Sequence, residues 1–192
     1  MKPYGCIGLL LCALLGACAL QPKEPPRIVM TGFSIDPPTE KGWIIAKQTP
    51  ELAIVGKQGR FAGETFTVQA TIIKLPRAAS ADELVRHVES TQRKELDPKR
   101  YKVYKFEVSR QEIGGQGCAF SRVDAAERTT AEGTGSPVNV MVETATLICP
   151  HPADPLRGIN LAYSHRHFPE DVDPRFSQDA AALMESLAFE PL

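Results

Sequence analysis

The sequence predicts an α+β fold, an antiparallel β-sheet flanked by two main helices, on three observations. Apolar side chains alternate with polar ones in several separate stretches, the period of half-buried strands. Turns rich in Gly, or built from Gly, Ser and Pro, stand between those stretches. Two further stretches carry apolar residues at helical spacing behind capping residues.

In order, Phe66, Val68, Ala70 and Ile72 alternate with Thr67, Gln69 and Thr71 and predict a strand. A helix follows: Ser80 and Glu83 form an S-x-x-E capping box, and Leu84, Val85, Val88 and Leu96 lie largely on one face until Asp97-Pro98 stops it. Tyr104, Phe106 and Val108 then alternate with Lys105, Glu107 and Ser109. Gly114-Gly115-Gln116-Gly117 turns the chain into a hairpin partner from Cys118 to about Glu127. A second turn, Glu132 to Pro137, leads to Val138, Val140, Val142, Thr144, Thr146 and Ile148 on one face, and a last strand runs from Ile159 to about Phe168. This spacing predicts about five to eight consecutive antiparallel strands. Asp173 is the expected N-cap of a second helix, with Pro174 at its first position and Phe176, Ala180, Leu183 and Leu187 as the stripe that covers the sheet.

Phe33-Ser34-Ile35-Asp36-Pro37 followed by Gly42-Trp43 resembles the opening of PsbP-like domains. The end is similar too: Tyr163 on a late strand, Phe168-Pro169, a helix holding Phe176, then Glu185-Ser186-Leu187-Ala188-Phe189. The resemblance spans most of residues 28–192. It implies an antiparallel sheet sandwiched by helices and an accessory or binding role. No functional residue carries over with it, because fold does not fix function.

The N-terminus has the order of an export signal: Lys2, an apolar run from Ile7 to Leu15, then Leu15-Gly16-Ala17-Cys18. The last four residues resemble the lipobox of bacterial lipoproteins, which implies cleavage after Ala17 and acyl chains on Cys18. Two or three chains anchor stably where one would not. Ala19, rather than Asp, after the cysteine resembles the pattern sent to the outer membrane of Gram-negative cells. Residues 1–17 are therefore read as a signal peptide and 18–27 as a lipidated, proline-rich tether. Residues 28–192 form one domain, a size that suits the chain of 192.

Lys2 is the one charged residue of that leader, so its removal takes the formal net charge from −1 to −2. A near-neutral chain with mixed signs argues against nucleic acid or anionic lipid as a partner. Of five cysteines, Cys6 and Cys12 leave with the leader and Cys18 takes lipid. Cys118 and Cys149 remain, and in an oxidising compartment they read as one disulfide, with two metal thiolates as the alternative. Centring the intervening turn near Gly135 leaves a small mismatch between them that a bulge or an irregular turn would absorb.

The best chemical constellation is His165-Arg166-His167 with Cys149-Pro150-His151. On a strand His165 and His167 share a face and could share a metal ion, with His151 as a third nitrogen. His165 continues the face of Ile159, Leu161 and Tyr163, which suggests a place near solvent at the edge of the sheet. Other candidates read as structure. No G-x-S-x-G elbow occurs, and Gly135-Ser136-Pro137 reads as a turn. Ser164 and His165 face opposite ways, Glu170, Asp171 and Asp173 precede a helix, and Gly114 to Gly117 lacks the Lys of a phosphate loop. Trp43 reads as core.

These observations favour a non-enzymatic envelope lipoprotein, on the periplasmic face of the outer membrane, that binds an envelope protein or a small ligand without a cofactor. The alternative is a metal-handling or hydrolytic enzyme built on His151, His165 and His167.

Overall fold

The computed structural model describes residues 26–61, 63–130 and 137–192. Cys18, the lipobox, the tether up to residue 25 and the turn around Gly135-Ser136 lie outside the described residues. In chain order the elements are β1 (Ile28–Met30), β2 (Phe33–Ile35), β3 (Ile44–Gln48), β4 (Leu52–Gln58), β5 (Thr65–Lys74), α1 (Ala81–Glu95), β6 (Tyr101–Ile113), β7 (Gln116–Thr130), β8 (Pro137–His151), β9 (Asp154–His167), α2 (Phe176–Glu185) and β10 (Ala188–Phe189). Seven strands form one sheet in the order β3-β4-β5-β9-β8-β7-β6, and β1-β2-β10 form a small second sheet. All pairings are antiparallel. From β5, in the middle, the chain crosses through α1 to the far edge at β6. It returns strand by strand until β9 pairs with β5.

The large sheet is covered on both faces. Leu84 and Val88 of α1 pack with Leu75 and Ala119 on one side. On the other, Phe176, Ala180, Leu183 and Met184 of α2 join Ile28, Phe33 and Ile35 of the small sheet over Val68, Leu147, Leu161 and Tyr163. This is the α+β sandwich the sequence predicts, with the stripe on α2 inside the core. Trp43 is half-buried and packs on Phe66 and Tyr163, ring centroids 6.4 and 6.0 Å away.

Local signals explain most element ends. Ser80 Oγ accepts from the Glu83 N–H at 3.2 Å, while Glu83 reaches back to the N–H of Ala79 at 2.6 Å, one residue before the cap. Asp82 and Glu83 in the first turn and Arg93 and Lys94 in the last complement the helix dipole. Gly114 and Gly115, at φ 55° and 80°, supply the two left-handed residues of a type I′ hairpin between β6 and β7.

Three details depart from expectation. The Asp173 carboxylate does accept the Arg175 N–H at 3.0 Å, but Pro174 and Arg175 form a turn and the regular helix starts at Phe176. Arg27 belongs to the folded domain rather than the tether, bonded to Ser34 Oγ at 2.9 Å and paired with Asp36 at 2.6 Å. The described strands number ten, not five to eight. Of the added ones, β3 is an edge strand exposed at every residue and so carries no burial period. At the opposite border, β6 leaves Val103 and Tyr104 in solvent. Each border strand has one break in register, between Ile45 and Lys47 in β3 and between Val103 and Lys105 in β6.

Cys118 and Cys149 are joined by a disulfide. No bulge is needed: β7 and β8 pair without a shift from Ala119–Ile148 to Thr130–Pro137, so the two cysteines come face to face at the next step.

Candidate functional site

Charged side chains interrupt the apolar face of the large sheet under α2. Strand alternation dictates their direction: Glu143 is in phase with Ala145 and Leu147, and His165 and His167 with Leu161 and Tyr163. Glu64, just before β5, is in phase with Phe66, Val68 and Ala70. Register then sets them side by side. Asp124 of β7 stands opposite Glu143 of β8, Glu143 opposite His165 of β9, and His165 opposite Phe66 of β5.

Each group is held from behind. His165 is fully buried, its ring stacked on Phe66 at 4.1 Å and on His167 at 4.3 Å. Its Nε2–H donates to Glu64 Oε1 at 3.0 Å. The other oxygen of Glu64 accepts the backbone N–H groups of Arg60 at 2.6 Å and Phe61 at 3.3 Å. His167 Nδ1–H donates to the Phe168 carbonyl at 2.6 Å. Arg122 donates to Glu143 Oε1 at 2.8 Å, pairs with Asp124, and lies 4.2 Å over the Phe176 ring.

The electrostatics follow from these contacts. Burial pushes the Glu64 carboxyl up, but His165 and the two backbone donors outweigh it and hold the group below the usual carboxylate range. For Glu143 burial also acts upward, and His165, Arg122 and His167 together bring it below its ordinary value. Both carboxyls are carboxylates at neutral pH.

His165 and His167 do come together, as the sequence suggests, but at the centre of the sheet. The expected place near solvent is wrong because β9 lies between β5 and β8 and is roofed by α2. His151 does not join them. It pairs with Asp154 at the far end of the β8–β9 hairpin, eight residues along β8 from Glu143, or about 26 Å at strand rise. There its Nε2–H is shared by the carbonyls of Gly32 and Glu190 at 3.0 Å each, and Nδ1 accepts the Ala153 N–H at 3.1 Å. It pins the small sheet to that hairpin. Cys149, in its disulfide, has no thiolate to offer. Glu64 and Glu143 were missed, although a carboxylate in phase with core positions of a strand was the signal. Ser164 faces away from His165, within 3.3 Å of Thr144 Oγ1.

Beside this cluster a cavity of about 540 Å³ opens between the β4–β5 hairpin and the start of α2. Lys41, Lys57, Arg60 and Arg175 line it, with Glu64 and Phe66 on its inner wall. Glu40 pairs with both Lys57 and Arg175.

No protein-family model matches the sequence, and no curated protein sequence matches it. Among solved structures, the cyanobacterial PsbP (CyanoP) of Synechocystis sp. PCC 6803 matches over 92% of this chain and 99% of its own, at 13% identity and a TM-score of 0.51. The fold is PsbP-like. A protein of Bacteroides thetaiotaomicron VPI-5482 matches at 14% identity and a TM-score of 0.44 over 85% of this chain, which spans 48% of that one. Human StAR-related lipid transfer protein 5 matches at 11% identity and a TM-score of 0.29, over 76% of this chain and 84% of its own.

Proposed function

We propose that this chain is a lipid-anchored envelope protein whose domain binds a small acidic ligand without converting it. The observation that carries this reading is the solvent-open cavity lined by four cationic side chains. Asp173 and Glu64 also line the cavity, and Glu40 neutralises part of the charge at Lys57 and Arg175; Lys41 and Arg60 are the cations left to meet an anion. The cavity lies in the usual size range of small-molecule sites. Anchorage through Cys18 to the periplasmic face of an outer membrane follows from the lipoprotein-like leader.

The test is a thermal-shift series on the full-length protein in detergent with inorganic phosphate and a set of small mono- and dicarboxylates. At least one anion should raise the melting temperature of the wild type and leave a Lys41→Glu/Arg60→Glu variant unmoved. No response to any anion, or an equal response in the variant, overturns the reading.

A further inference from the structure

We infer that Glu143 Oε2, His165 Nδ1 and His167 Nε2 together bind one divalent transition-metal ion of the zinc and cobalt class. One ligand atom from each of these residues lies within 4.8 Å of the other two. The carboxylate oxygen is 3.5 Å from His165 Nδ1 and 3.6 Å from His167 Nε2. Donors bonded to one ion at about 2.0–2.2 Å stand about 3–3.5 Å apart, so closure on an ion needs a shift of tenths of an ångström for these two pairs.

The same three atoms are buried and have no hydrogen-bond partner among the described residues. Such orphans are rare, because a buried polar atom left unpaired destabilises the fold. Here three converge on one point. With the Nε2–H of His165 given to Glu64 and the Nδ1–H of His167 given to Phe168, two ring nitrogens and a carboxylate oxygen face one another, and a cation satisfies all three at once.

The opposite side of each ligand is built accordingly. His165 gives its other N–H to the Glu64 carboxylate, His167 gives its other N–H to the Phe168 carbonyl, and Arg122 holds the second oxygen of Glu143. This outer shell fixes the tautomers that point the free nitrogens inward, as it does around metal-bound histidines generally. Two imidazoles and one carboxylate suit zinc, cobalt, nickel or iron(II), whereas calcium and magnesium prefer all-oxygen shells. Three protein donors leave further coordination positions to water. The metal site stands whether or not the cationic cavity binds an anion.

The experiment uses the untagged full-length protein in detergent, stripped with a chelator and titrated with Co²⁺ alone. One equivalent should bind with visible d–d bands, be displaced by Zn²⁺, and resist excess Ca²⁺ or Mg²⁺. His167→Ala and Glu143→Gln should each weaken Co²⁺ binding at least tenfold, while His151→Ala and, on the exposed side of α1, His87→Ala leave it unchanged. Near-UV circular dichroism reports whether each variant is folded. Failure of the wild type to bind one equivalent overturns the site without recourse to any variant. So does unchanged affinity in folded His167→Ala and Glu143→Gln, or loss of binding on changing His87 alone.

Discussion

Cys118 and Cys149 face each other across β7 and β8 with Cα atoms 4.4 Å apart, the spacing of a non-hydrogen-bonded antiparallel pair. Both residues are fully buried in the core. The bond closes a sequence separation of 31 residues, for which chain entropy gives about 3–4 kcal/mol. A Cys118→Ala/Cys149→Ala pair should lower the midpoint of denaturant unfolding accordingly. Small reductants should leave the wild-type bond intact until denaturant is added. An unchanged midpoint in the pair, or ready reduction in the folded state, contradicts this account.

The stripe on α2 is structural. Leu183 is 3% exposed while Gln178 on the same helix is in solvent. Truncating a buried Leu costs about 2–5 kcal/mol, so Leu183→Ala should melt several degrees lower than wild type. Gln178→Ala should melt within about a degree of it, since exposed changes usually stay within about 0.5 kcal/mol. Equal melting of the two would show that the helix is not held by its apolar face.

Gly59 makes room for Glu64. A Cβ built on Gly59 would come within 2.2 Å of the Glu64 side chain. Gly59→Ala must therefore displace the carboxylate and break its bond to His165, a loss of about 1–3 kcal/mol for a buried charged group. In a Glu64→Ala background the same change should cost much less. A double-mutant cycle on unfolding free energy measures that coupling, and additive losses would refute it.

The lipid anchor is tested through its sulfur. Cells expressing the full chain should incorporate an alkyne fatty acid that Cys18→Ser abolishes, with the variant released from membranes or left uncleaved. Equal labelling of the two would rule the anchor out.

The strong periods were legible in the sequence: β5, β9 and the apolar stripe of α2 bury one face, and burial writes itself as alternation. Ser80 and Gly114-Gly115 were legible as local chemistry, a cap and a hairpin turn. β3 was not, because an edge strand exposed along its length has no apolar period to display. His165 and His167 were readable as a pair because they are two residues apart on one strand. Their partners Glu64 and Glu143 lie just before β5 and on β8, and only the cross-strand register brings them near. The same register, running without a slip from Ala119 to Thr130, removed the mismatch anticipated for the disulfide.

The breaks in register on β3 and β6 have a consequence for how copies of this protein meet. Both borders of the large sheet offer open backbone donors and acceptors to any extended chain that comes alongside. A visiting strand would need an uninterrupted run of matched groups. It would meet a kink after Ile45 on one border and after Val103 on the other, flanked by Lys47 or by Lys102 and Lys105. Neighbours can crowd together without zipping into a shared, growing ribbon. The irregularities that spoil the ladders work against such edge-to-edge growth.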